Sequence, residues 1–238
     1  MRIRGSLALN FTRALYETGV FALLDRRRDS AELSKAGQRR SFSQCGEDLF
    51  FQEYFGDSRG TYIEIGGNHP LRGSNTYLLY RSGWSGVVVE PIQRLCAKHR
   101  RFRPRDIQVM AAGGESSGSL TFYEMIPSVL STCDPERARH TLSTGDALLR
   151  REYTVPVVTV ADIYREYLPG RQVDLLSIDT EGHDLAVLRG VNWTEIRPKI
   201  VICEAHNDVV GVGTTEFFSS QGYDHVRSLG YNLLFTPR

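Results

Sequence analysis

From residue 61 onward, short apolar runs alternate with segments of helical spacing. Strands separated by helices form a mostly parallel sheet with helices on both faces. Two further runs, 223–228 and 231–236, flank Leu229 and Gly230 and predict an antiparallel hairpin at the sheet edge. We therefore expect an α/β fold with a mostly parallel seven-stranded sheet and a C-terminal hairpin. The predicted internal strands are 62–65, 86–89, 107–111, 120–123, 155–159, 175–178 and 200–203.

The 238 residues suffice for one α/β domain with a well-buried core. Residues 6–25 place apolar side chains at helical spacing, and residues 30–42 are polar and read as a linker. We therefore predict a helical extension and linker over 1–40 and the main domain over 41–238. The apolar residues of the extension suit packing against a second copy of the chain, which predicts a homo-oligomer.

Several features point to a cytoplasmic protein without a membrane partner. The apolar stretch near the N-terminus is interrupted by Asn10, Thr12 and Arg13, so it lacks the core of a secretory signal. No apolar run approaches the length that spans a bilayer. The four cysteines form no CxxC pair, which favours reduced thiols. The formal net charge of +1 gives no general attraction to nucleic acid, and we expect none as a partner.

The first predicted strand carries Glu64 and runs into a turn that contains Gly66 and Gly67. Glycines at such a turn let a ligand approach the backbone closely. The next strand ends in Glu90, and an acid there accepts hydrogen bonds from a ribose diol. Each acid alone also suits an ion pair or a cap, but together they predict a cofactor that contains adenosine. Because Asn68 stands where GxGxxG has a glycine, a dinucleotide site is less favoured.

A later segment carries the most specific motif of the chain. Ile178-Asp179-Thr180-Glu181-Gly182 is followed by Val187-Leu188-Arg189-Gly190. Together with Ser74-Asn75-Thr76-Tyr77 and Glu90-Pro91, this combination resembles the FkbM-type methyltransferases over roughly residues 41–236. The chain differs from the family's D-V-G-A-N-x-G turn in having Pro70 at the last glycine.

The resemblance implies a Rossmann-like class I methyltransferase fold that uses S-adenosylmethionine. It also implies a hydroxyl acceptor on a sugar, polyketide or other small metabolite. Glu64 and Gly66 would then lie near the methionine part of the cofactor and Glu90 on its ribose. It further implies a catalytic role for Glu181. The full set of residues expected to bind the cofactor is Glu64, Gly66, Gly67, Asn68, Asn75, Glu90, Pro91 and Asp179.

Ligands bind beyond the carboxyl ends of the strands in open α/β sheets, where Asp179 and Glu204 should lie. Methyl transfer needs alignment and removal of the acceptor proton, and we expect Asp179, Glu181 and His206 to be catalytic. Asp179, Glu204 and Asn207 also form a candidate Mg²⁺ site, similar to that of some sugar and catechol O-methyltransferases. His206 fits a general base at least as well as a metal ligand.

Two other functions remain open from the sequence. A nicotinamide-dependent oxidoreductase shares the strand, glycine turn and acid, and a non-catalytic scaffold would bind the cofactor alone. The basic run 98–105 is interpreted as a solvated helix face, although contact with phosphates of an acceptor or RNA is the alternative. Residues 126–153 are predicted to form an insertion that supplies a lid or an acceptor pocket.

Overall fold

The computed structural model describes residues 20–37, 39–205 and 208–238. The chain divides into two compact units, Met1–Arg40 and Ser41–Arg238. The first unit contains helix α1 (Val20–Lys35). The predicted linker is therefore wrong for residues 30–35, because this stretch holds good helix formers and no glycine or proline. The rest of the predicted extension, residues 1–19, lies outside the described residues.

The second unit is organised around the predicted seven-stranded sheet. Its strands are β1 (Thr61–Ile65), β2 (Ser85–Val89), β3 (Ile107–Val109), β7 (Leu175–Ile178), β8 (Ile200–Glu204), β9 (Tyr223–Leu229) and β10 (Asn232–Pro237). Their order in the sheet is β3-β2-β1-β7-β8-β10-β9, in which the first five strands are parallel and the last two form the antiparallel hairpin. The chain crosses from β3 back to β7 beside β1, which creates a crevice at the carboxyl ends of β1 and β7.

Helices cover both faces of this sheet, and the central strands are buried on both sides. Ile63, Val87 and Leu176 pack into one apolar cluster, whereas Val88 and Leu175 pack into the other. This double burial explains why the strands appear in the sequence as continuous apolar runs. No helix of the described ranges is long and apolar enough to cross a membrane. The helices of this unit are α2 (Glu47–Phe55), α3 (Tyr77–Arg81), α4 (Gln93–Phe102), α5 (Pro135–Thr144), α6 (Val160–Tyr167), α7 (Asp184–Arg189) and α8 (Asp208–Ser220).

Two predicted strands, 120–123 and 155–159, belong to a separate three-stranded sheet. That sheet has the order β4-β6-β5, with β4 (Ala112–Gly113), β5 (Gly118–Ile126) and β6 (Leu148–Val158). Strands β5 and β6 pair antiparallel from Gly118 with Val157 to Ile126 with Leu148, with a register shift between Glu124 and Met125. An apolar run predicts a strand without naming its partner, which is why the sequence did not separate the two sheets. A 3₁₀ turn (Ser128–Leu130) and α5 connect β5 to β6.

Candidate cofactor and acceptor site

One cleft opens at the carboxyl ends of β1, β2 and β7. It encloses about 890 Å³ of empty space, part of it open to solvent. Within the described chain, the cleft brings together every residue that was expected to bind the cofactor, and Glu181 as well. The predicted residues that line it are Glu64, Gly66, Gly67, Asn68, Asn75, Glu90, Pro91, Asp179 and Glu181.

The turn after β1 has room only for glycine. Gly66 has a φ of +84°, and a Cβ there would lie 1.8 Å from the carbonyl oxygen of Asp179. A Cβ at Gly67 would lie 2.3 Å from Cγ1 of Val88. The N–H groups of both glycines donate to the carbonyl oxygen of Val89, at 2.9 and 3.1 Å. The turn is therefore fixed between β2 and the segment after β7, and its backbone is exposed to the cleft.

Glu90 is buried at the end of β2 with both carboxylate oxygens already positioned. Oε1 accepts from the backbone N–H of Ile92 at 2.7 Å, and Oε2 accepts from that of Asn68 at 2.8 Å. Each oxygen has a second lone pair, so the carboxylate can still accept from two ribose hydroxyls. Burial raises the pKa of Glu90 to about 7, although the two amides oppose this. Apolar residues beside it suit an adenine ring, namely Ile92, Ala112 and Phe122.

Sequence reasoning missed Arg103, which is fully buried beneath the cleft. Its Nη1 donates to Glu64 Oε2 at 3.3 Å, and its Nε donates to Asp106 Oδ2 at 2.6 Å. The remaining N–H groups donate to Ser74, Tyr62 and Thr76. All five guanidinium N–H groups are thereby used, and Glu64 is held from behind the cleft.

The interpretation of residues 98–105 as a solvated face is thus wrong for His99 and Arg103. Burial and the Arg103 charge lower the pKa of His99 to about 3, and its Nε2 lies 3.0 Å from the carbonyl oxygen of Asn68. The neutral imidazole therefore supports the glycine turn. The burial of Arg103 is explained by its ion pairs with Glu64 and Asp106. Glu64 is distant in the sequence and Asp106 resembles any surface acid, so the basic run alone did not indicate that Arg103 is buried.

Acidic side chains converge where β7 and β8 end. One carboxylate oxygen from each of Asp179, Glu181 and Glu204 lies within 4.8 Å of the others. Burial, with the charges of Glu181 and Asp184, raises the pKa of Glu204 to about 8. Burial, with the charge of Glu204, raises the pKa of Asp179 well above its usual range. Like charges this close do not all ionise, so the cluster holds a proton at neutral pH.

The predicted insertion 126–153 is shorter in the structure, because residues 148–153 belong to β6, and the connection 127–147 forms the wall that faces this cluster. Arg137 Nη2 donates to Glu181 Oε2 at 3.0 Å, and Thr132 Oγ1 donates to the carbonyl oxygen of Glu181 at 2.9 Å. Ser128, Ser131, Thr132 and Cys133 line the cleft. Glu181 therefore connects the insertion to the segment after β7. The sequence did not indicate Arg137, because its partner is Glu181, far along the chain.

Two predicted site residues cannot be placed in this way. His206 and Asn207 lie outside the described residues, so the base assigned to His206 and the metal ligand assigned to Asn207 stay predictions. Glu204 directly precedes this segment, and Ala205 is the last residue described before it.

Residues 64–230 match the family described as methyltransferase FkbM domain. The chain belongs to the FkbM methyltransferase family. The family match makes it an S-adenosylmethionine-dependent methyltransferase and favours this activity over nicotinamide chemistry. No curated protein matches the chain. Among solved structures, a TehB-like SAM-dependent methyltransferase from Corynebacterium glutamicum aligns with 91% of this chain and all of its own, at 12% identity and a TM-score of 0.43.

Proposed function

We propose that this FkbM methyltransferase methylates a hydroxyl oxygen on a small acceptor such as a sugar or a polyketide. The supporting observation is the acidic cluster of Asp179, Glu181 and Glu204. Two of its members, Asp179 and Glu181, line the same cleft as Glu90. A carboxylate with a raised pKa next to a cofactor cleft is suited to take a proton from an acceptor hydroxyl. A neutral amine is already nucleophilic and would have less need of a carboxylate that removes a proton.

S-adenosylmethionine supplies an electrophilic methyl group on a sulfonium. The protein has to hold that group in line with the acceptor oxygen and to exclude competing water. In this proposal Glu90 holds the ribose, and the backbone of Gly66 and Gly67 lies against the cofactor. Asp179 then faces the reacting atoms from the end of β7, and Glu204 receives the acceptor proton at its carboxylate. His206, which follows Glu204 closely in the chain, is the other candidate base.

The insertion supplies the groups that would recognise the acceptor. Ser128 and Ser131 line the cleft with hydroxyls that can hydrogen-bond an acceptor, whereas the O–H of Thr132, which also lines it, already donates to the carbonyl oxygen of Glu181. Val129 also lines the cleft, although about half of the residue is exposed. Such a mixture fits a polyhydroxylated small molecule with some apolar surface. The four cysteines are free, and we propose a reducing compartment, the cytoplasm, for this chemistry.

The activity can be tested with S-adenosylmethionine that carries a tritium-labelled methyl group. The acceptors are a panel of sugars, nucleotide sugars, hydroxylated polyketides and catechols. Label that enters an acceptor, survives mild alkali and is located on an oxygen by NMR of the product identifies a methyl ether and supports the proposal. Alkali-labile label identifies a carboxyl ester, and label on an amine identifies N-methylation; either result would overturn O-methylation.

Replacing Glu90 by glutamine should weaken binding of S-adenosylhomocysteine about 10- to 100-fold. The amide keeps the size of the side chain but donates where the carboxylate accepts, so ribose hydrogen bonds are lost. Isothermal titration calorimetry of the wild type and the variant measures this effect. Glu136→Gln, on the exposed surface of α5, is the matched control. Unchanged affinity in Glu90→Gln would show that the ribose lies elsewhere.

A divalent cation is the second candidate role of the acidic cluster. The oxygens of Asp179, Glu181 and Glu204 are hard donors of the kind that Mg²⁺ prefers, and they lie close enough together to share an ion. Such an ion, when bound, would lower the pKa of an acceptor hydroxyl and orient it.

We expect that Mg²⁺ binding to the wild-type protein at about pH 7 releases protons, because a cation favours the ionised form of Glu204. Calorimetry in two buffers of different ionisation enthalpy measures the number of protons released. Asp179→Asn should weaken Mg²⁺ binding, and Glu136→Gln should not. Absence of binding together with activity that survives exhaustive chelation would exclude the cation.

A further inference from the structure

The cleft has an uneven distribution of charge. Its lining includes the carboxylates of Glu64, Glu90, Asp179 and Glu181. Among the described lining residues, Arg72 is the one cation at neutral pH, because burial lowers the pKa of His183. The sulfonium and ammonium groups of S-adenosylmethionine are compatible with acidic walls. Its carboxylate is not, and it needs a cation or a set of N–H donors.

Arg72 lies on the loop between Gly66 and α3. The imidazole of His69 fixes this loop, since its Nδ1 accepts from the backbone N–H groups of Leu71 and Arg72 at 3.2 and 3.3 Å. The N–H of Ser74 then donates to the carbonyl oxygen of Phe42 at 3.1 Å. The backbone on both sides of Arg72 is thus held in place before a ligand arrives.

The neighbours of Arg72 place it away from the ribose end of the cleft. Asn75, on the same loop, donates from Nδ2 to Ser177 Oγ of β7 at 3.4 Å, and both residues line the cleft. Glu90 lies at the end of β2, on the other side of β1 in the sheet. A cofactor whose ribose is held by Glu90 therefore extends its amino-acid part past Gly66 toward β7 and this loop.

Arg103, the fully buried arginine beneath the cleft, does not line it. Every N–H group of Arg103 donates to a protein oxygen beneath the cleft. Lys98 Nζ lies 3.3 Å from Nε2 of His69, and Lys98 does not line the cleft. We propose that Arg72 binds the carboxylate of the methionine part of S-adenosylmethionine. This proposal rests on the proposed cofactor position and adds the residue that recognises the amino-acid end.

Two ligands distinguish the loss of carboxylate binding by Arg72 from a general disruption of the cleft. S-adenosylhomocysteine contains the amino acid, whereas 5′-methylthioadenosine contains the same thioether and nucleoside without the ammonium and carboxylate. Arg72→Gln should weaken S-adenosylhomocysteine about 10- to 100-fold and leave 5′-methylthioadenosine unchanged. Arg72→Lys should recover part of the lost affinity, because it restores the charge without the bidentate geometry. Calorimetry with both ligands measures these effects.

Arg165→Gln is the matched control, since Arg165 is exposed on α6 and its described contacts are Asp162 and the carbonyl oxygen of Ala161, both on the same helix. Equal S-adenosylhomocysteine affinity in Arg72→Gln and wild type would overturn the role of Arg72 while the cofactor cleft stands. Equal losses for both ligands would also overturn it, since the defect would then not concern the carboxylate. A wild-type protein that binds neither ligand would instead overturn the proposed function.

Discussion

Replacement of Arg103 by methionine is expected to lower the free energy of unfolding by about 3–5 kcal/mol. The side chain is fully buried, and methionine preserves much of its apolar stem. What is lost is the countercharge for Glu64 and Asp106, which are themselves buried and would face a low-dielectric interior without it. Removing one partner of such a group is far more costly than replacing all the partners together.

Urea denaturation followed by circular dichroism measures this loss. Arg165→Met is the control, because an exposed pair such as Arg165 with Asp162 contributes at most about 1 kcal/mol. Arg103→Lys should remain destabilised, since an ammonium cannot supply five donors in one plane. A stability for Arg103→Met within about 1 kcal/mol of wild type would show that Glu64 and Asp106 become neutral and do not need the guanidinium.

The Arg103 network also shows where sequence reasoning reached its limit. The sheet was predictable because strands such as 62–65 and 86–89 are buried on both faces, so they appear as apolar runs. The glycine turn, Glu90 and Asp179 were predictable for a related reason. Each follows a strand directly, and the carboxyl ends of parallel strands fix where such residues lie.

The residues that were missed share a different property. Arg103 and Arg137 owe their environments to tertiary contacts, and nothing in their local sequence distinguishes them from surface arginines. The three-stranded sheet was missed for the same physical reason, since a strand's partner is a long-range choice. The arginines that pair with acids distant in the sequence are therefore the part of this site that the pattern of apolar residues does not encode.

Replacement of Glu204 by glutamine is expected to lower kcat about 100-fold or more, with the acceptor that the labelled-methyl screen identifies. Glutamine keeps the shape of the side chain but takes up no proton. Glutamine resembles the uncharged form of Glu204 that predominates at neutral pH, so it should not destabilise the fold, and a denaturation midpoint at or above that of wild type shows that the variant is folded. Glu136→Gln, which is exposed, should retain wild-type kcat.

The pH profile identifies the group. Burial and neighbouring carboxylates raise the pKa of Glu204 to about 8, so the unprotonated base is the minor form at neutral pH. In chelator-treated enzyme, kcat should therefore rise about tenfold per pH unit below about pH 8 and level off above it. This rise should be absent from Glu204→Gln. If it persists there and disappears in His206→Asn, the base is His206, and the cluster of Asp179, Glu181 and Glu204 serves the acceptor by its charge alone.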